Sequence, residues 1–152
     1  MNRHACRIVI VRTLYEIDIR KYENLDDELL HNIINFAFDP TNESSEVALK
    51  EEDENYQEIK NTIVGIMEKQ TEIDKIIHNS LDKYTIDRLN FVDRSIIRLA
   101  VYEMLNTNLA SGIIINEAVE ISKEYTNLDD GLQSKFNNKL LDKISKDLRN
   151  DK

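Results

Sequence analysis

Three glycines and a single proline punctuate 152 residues, and this shortage of turn-forming residues constrains the fold more than any motif does. An all-β chain of this length needs a turn roughly every 8–12 residues, and the turn chemistry is missing. Apolar residues instead recur at three- and four-residue steps along a chain rich in Leu, Ile, Lys and Glu, the pattern of an all-α protein. The length suits one domain with a real core. Nothing approaches the ~18 consecutive apolar residues of a transmembrane helix. The apolar run Ile8 to Val11 is broken too soon for a signal peptide. Cys6 is the only cysteine, which excludes an internal disulfide and suits a reducing cytoplasm.

Periodicity places the helices. The first spans about Arg3 to Ile19, with Cys6, Val9, Ile10, Thr13, Leu14 and Ile17 on one buried stripe. The β-branched run Ile8 to Val11 would equally start a strand, but the helical period continues on both sides of it. Ile8, Val11 and Tyr15 form a second apolar stripe, read either as extra core or as a partner face. A second helix, roughly Leu25 to Phe38, opens on Asp26, Asp27 and Glu28 and is stopped by Pro40. Residues 39–55 read as an exposed acidic linker. The third helix carries Tyr56, Ile59, Ile63, Ile66 and Met67 on one side. Gly65 inside it costs about 1 kcal/mol relative to alanine, which points to close packing there.

Thr71 with Asp74 resembles a capping box for a fourth helix, whose stripe is Ile73, Ile76, Ile77, Ser80, Leu81 and Tyr84. The fifth, about Phe91 to Asn106, is apolar on most of its circumference and belongs at the centre. A sixth starts near Ile115 and runs to Tyr125, which makes Asn116 and Glu117 its capping residues. The last starts near Lys135 and buries Phe136, Leu140, Leu141, Ile144 and Leu148. Arg98, with Tyr102 and Glu103, reads as a satisfied interior polar group on the most apolar helix.

The net charge of −9 is regional. Residues 1–22 hold five bases and two acids, whereas residues 23–58 hold twelve acids and Lys50 alone. A local basic surface is therefore compatible with the acidic total. Catalytic signatures are missing: there is no Gly-rich phosphate loop, and His4, His31 and His78 have no ligand-like spacing with Cys6. No enzyme activity, metal or cofactor is expected. Two basic series stand out. Arg3 and Arg7 are one turn apart with His4 beside them, and Lys135, Lys139, Lys143 and Lys146 follow the last helix. Such series are ordinarily solvated faces; with a nearby Phe136 or Tyr125 to stack on an unpaired base, they also suit RNA.

Three segments carry a more specific signal together than singly: Val92 to Met104 (Val-Asp-Arg-Ser-Ile-Ile-Arg-Leu-Ala-Val-Tyr-Glu-Met), Ile115 to Lys123 (Ile-Asn-Glu-Ala-Val-Glu-Ile-Ser-Lys) and Lys135 to Ile144 (Lys-Phe-Asn-Asn-Lys-Leu-Leu-Asp-Lys-Ile). In this order, with Leu14-Tyr15, Gly65, Ile73-Asp74 and Ile77 before them, the chain resembles the NusB family of bacterial transcription antitermination factors. The resemblance extends weakly through the whole length. It implies about seven helices in two packed bundles, about 1–70 and about 71–150. It also implies binding to boxA-type single-stranded RNA of ribosomal RNA transcripts, jointly with the ribosomal protein NusE, in the transcribing RNA polymerase complex with other Nus factors.

Residue by residue, the family's arginine-rich N-terminus maps onto Arg3, His4 and Arg7. Its RNA-proximal Lys-Phe-Val-Asn motif maps onto Lys135, Phe136 and Asn138, with Lys139 adding charge. The partner-facing tyrosine maps onto Tyr15, flanked by Ile8 and Val11, and a partner-facing acid onto Asp93. His4 and Ala5 stand where the family often has arginine, and Asn137 and Lys139 where it commonly has valine and glycine. The alternative class is a helical protein–protein module without RNA binding, its acidic residues 23–58 docking a basic partner; a homodimer that hides the RNA face is a third.

Overall fold

The computed structural model describes residues 1–39, 53–83, 85–126 and 131–149. Within them run seven α-helices: α1 Arg3–Arg20, α2 Asp27–Phe38, α3 Glu54–Glu68, α4 Gln70–Ser80, α5 Phe91–Asn106, α6 Ser111–Thr126 and α7 Leu132–Arg149, with a 3-10 turn at Ile86–Arg88. No strand occurs among the described residues, so the run Ile8 to Val11 is helical. Most of the acidic stretch 39–55, with Pro40, lies outside the described residues, as does Tyr84. The chain divides into two compact units, Met1–Gly65 and Ile66–Lys152, the division falling inside α3.

In the first unit α1 packs on α2. Asn2 caps α1 by accepting the Ala5 N–H at 2.8 Å, and Asp26 caps α2 through the Leu29 N–H at 2.8 Å; both satisfy an orphan donor of the first turn. Cys6, Val9, Ile10 and Leu14 are buried, as are Leu30, Ile33, Ile34 and Ala37 of α2 and Tyr56, Ile59 and Ile63 of α3. Thr13 sits inside this stripe because its hydroxyl donates to the Val9 carbonyl at 2.8 Å. His31 Nδ1 lies 2.8 Å from the Tyr56 hydroxyl, joining α2 to α3. Burial, and next the charge of Glu58, push the Cys6 thiol up from its ordinary value, so it is a poor nucleophile. α1 ends at Lys21 in the left-handed conformation (φ 51°), whose N–H donates to the Ile17 carbonyl.

The second unit is built round α5, which touches α4, α6 and α7. Every residue from Asp93 to Val101 is buried, and Met104 with them, in keeping with its apolar circumference. Arg98 finds a partner on α4: its Nε and Nη2 donate to the two Asp74 oxygens at 2.8 and 2.9 Å.

That pairing removes the expected capping box, since Asp74 faces Arg98 and α4 begins at Gln70 with no side-chain cap. α6 also begins earlier than its apolar pattern suggests. The Ala110 carbonyl accepts from the Ile113 and Ile114 N–H groups, which starts the helix at Ser111 and leaves Asn116 and Glu117 a turn inside it, beyond capping range. At the other end of the unit Arg149 closes the α5–α6 junction. Its guanidinium donates to the carbonyl of Met104 (3.0 Å), one of those a helix end leaves without an intrahelical partner, and to the carbonyls of Thr107 (3.0 Å) and Leu109 (2.6 Å) in the connection that follows.

Candidate RNA interface

α7 sorts its residues by face. Gly131, at φ 83°, supplies the left-handed turn before it, a backbone that suits only glycine well. The Gly131 carbonyl accepts from the Lys135 N–H and the Ser134 hydroxyl, each at 3.0 Å, and the helix starts there. Ser134, Asn137, Leu140, Leu141, Ile144 and Ser145 turn inward. Lys135, Phe136, Asn138 and Lys139 are exposed, so the structure presents together the four α7 residues that sequence singled out. Phe136 is 37% exposed and is not the core residue that periodicity suggested. Leu140 and Leu141 already fill the inward positions of that turn, and the ring is left at the surface.

Asn137, between Phe136 and Asn138, has the opposite fate. Its Nδ2 donates to Asp93 Oδ1 at 2.7 Å and lies 3.1 Å from the Ser122 hydroxyl, while Ser122 donates to Asp93 at 3.3 Å. Gln133 donates to Asn137 Oδ1 at 3.0 Å. Asp93, Ser122 and Asn137 are all 0% exposed, and they tie α5, α6 and α7 into one polar knot. Asp93 is therefore no surface for a partner: a short acid at the N-terminus of α5 reaches inward to an amide and a hydroxyl. Sequence reasoning missed the knot, although Asn137 lies three and four residues before Leu140 and Leu141, in register with the buried stripe.

The remaining candidates stand on α1. Arg3 is exposed and His4 and Ile8 are partly exposed. Arg7 is only 8% and Val11 only 2% exposed. Both face inward because they fall with Cys6, Ile10 and Leu14 on the widened apolar side of the helix. Tyr15 is 36% exposed, and Arg12 is spent on the Ala37 carbonyl at 3.1 Å. Of the second apolar stripe, Val11 is core and Tyr15 is surface. No helix among the described residues is long and apolar enough to cross a membrane.

A family model described as the NusB family matches residues 4–146. The transcription antitermination protein NusB of Treponema denticola is 37% identical over 145 residues, covering 95% of this chain and 96% of that one. That of Ruminiclostridium cellulolyticum is 33% identical over 147 residues, covering 96% and 90%. Among solved structures, T. maritima NusB matches with a TM-score of 0.74 at 30% identity, covering 96% of this chain and 92% of that one. A chain from a structure of antitermination factors NusB and NusE in complex with double-stranded RNA matches with a TM-score of 0.73 at 25% identity, covering 95% and 96%. With a family match that takes in both units and nearly all the described helices, the chain belongs to the NusB family.

Proposed function

We propose that this protein is a transcription antitermination factor, a non-enzymatic adaptor that binds boxA-type RNA of ribosomal RNA transcripts together with the ribosomal protein NusE. It acts in the cytoplasm on the transcribing RNA polymerase complex. The observation that carries this reading is the family match over residues 4–146. The solvent-facing row of Lys135, Phe136, Asn138 and Lys139 on α7 fits it chemically. Two ammonium groups neutralise phosphates, and the aromatic ring and the amide address an unpaired base. In the first unit Arg3 and His4 of α1 are further RNA-contacting residues, as the family resemblance implies, and Tyr15, with the partly exposed Ile8, contacts the protein partner. Arg7, Val11 and Asp93 have no part in either surface, because they are buried.

Fluorescence-anisotropy titration tests the reading, with a boxA-type strand, a scrambled strand and a duplex, each with and without the NusE-type protein at two salt concentrations. The expected result is selective binding of the boxA strand that tightens roughly 5–150-fold with the partner, the usual range of coupling between two sites. Lys135→Ala and Lys139→Ala should each flatten the log–log salt dependence by about 0.7, the share of one single-strand phosphate. Equal binding of all three RNAs would reduce the interface to generic charge. Tyr15→Asp should abolish co-purification with the partner while leaving the circular dichroism spectrum unchanged. Intact pairing would move the protein face elsewhere.

A further inference from the structure

The outer side of α7 forms one wall of a cavity of about 260 Å³, whose other wall is the end of α4 and the residues after it. Leu81 and Leu140 line it with the ring of Phe136, and Lys83, Lys139 and Lys143 stand round it. The two leucines are 7% and 5% exposed, whereas Phe136 keeps 37% of its surface open to solvent. Lys143 Nζ donates to Asp82 Oδ1 at 2.9 Å and to the Ser80 carbonyl at 3.3 Å. The Asp82 carboxyl is held below its usual range by the hydrogen bond from Lys143 and by that ammonium's charge, with Lys139 and Lys83 adding to the effect. Among the described residues, three positive charges thus stand round one small cavity against a single carboxylate.

We propose that this cavity receives one unstacked base of the bound single strand, with the phosphates on either side of that base held by Lys83, Lys139 and Lys143. The proposal rests on the RNA-binding function and extends it to Lys83, Lys143 and the end of α4, all of which lie outside the family's RNA-proximal motif at Lys135 to Asn138. An apolar slot with an open aromatic face fits the flat surface of a base, which is the usual means of holding single-stranded nucleic acid. The surplus of positive charge at its mouth fits the phosphates that every nucleotide brings. A hydrophobic peptide side chain would fill the slot but leave the charge of Lys83 and Lys139, beyond what Asp82 balances at Lys143, without a counter-charge.

The test uses the full chain and a boxA-type strand in which each nucleotide in turn is replaced by an abasic one. One position should lose about tenfold in affinity, the worth of a base stacked on an aromatic ring. That loss should vanish in Phe136→Ala. Lys83→Glu and Lys143→Glu should weaken binding of the intact strand about tenfold. Lys146→Glu serves as control, on the same helix and 56% exposed but outside this cavity, and should leave binding nearly unchanged. If every abasic position is tolerated, or Lys83→Glu matches Lys146→Glu while the native strand still binds selectively, the cavity is not a base pocket and the RNA reading survives. If the unsubstituted protein binds no RNA, both fall together. Lys83 and Phe136 are exposed, and circular dichroism of each variant separates lost binding from lost fold.

Discussion

Asp74→Ala should lower the unfolding free energy by about 3–5 kcal/mol, the cost of stripping one partner from a buried ion pair. At this chain length that corresponds to a fall in Tm of roughly 10 °C. The reason lies in the unequal exposure of the two partners. Arg98 is 6% exposed and cannot shed its proton, so without Asp74 it keeps a buried charge that has lost its carboxylate. The Asp74 side chain is 26% exposed, and in Arg98→Met it can turn to water. Asp74→Ala should therefore be the more damaging of the two. The double variant Asp74→Leu/Arg98→Met should recover most of the loss, because apolar replacements of similar volume often equal or surpass a buried pair. Thermal and urea unfolding followed by circular dichroism measure all three. A loss under about 1 kcal/mol for Asp74→Ala would mean that water reaches the pair freely, contrary to the burial of Arg98.

The second large effect is expected at the polar knot. Asn137→Leu removes the donor 2.7 Å from Asp93 Oδ1 and leaves a buried oxygen short of a partner, which costs roughly 2–3 kcal/mol. Asp93→Ala should cost a similar amount, since Asn137 and Ser122 then lose their common acceptor. The double variant should cost clearly less than the two singles added, because the second change removes a group the first has already stranded. Urea midpoints give these energies. Hydrogen exchange adds a spatial readout: amides in the first two turns of α7 should exchange faster in both single variants, since the knot holds that end of the helix against α5 and α6. Strict additivity would show that the three side chains do not act as one unit.

Sequence legibility followed the physics of each decision. Periodicity identified all seven helices because burial of an amphipathic face sets their existence, and it placed both ends of α5 because that helix is apolar nearly all round. It misplaced the start of α6, where Ser111 and Gly112 carry no apolar signal and the start is set by the Ala110 carbonyl. It gave Asp74 a local role as a cap, when Arg98, 24 residues away, supplies a charged partner that a local pattern does not register. The end of α1 carries no glycine to announce it, because Lys21 adopts the left-handed conformation itself. At the candidate site, family motifs brought out the exposed row on α7 but assigned Asp93 outward and left Asn137 without a role. Two polar residues remote in sequence are each anomalous alone and make sense only as partners. Arg7 was misread for a simpler reason: an arginine one turn from another reads as a basic face until the apolar neighbours of the second are seen to surround it.

Arg149 gives the second unit a definite order of assembly. The carbonyls it holds belong to Met104, Thr107 and Leu109, some 40 positions earlier in the chain. During synthesis at about 5–20 residues per second, the end of α5 would therefore wait roughly 2–8 s for its clasp. Throughout that interval water alone caps those carbonyls, and the turn into α6 is free to sample other paths. The stretch of chain that bears the outward row of Lys135 and Phe136 thus emerges before the residue that locks its own helix in place.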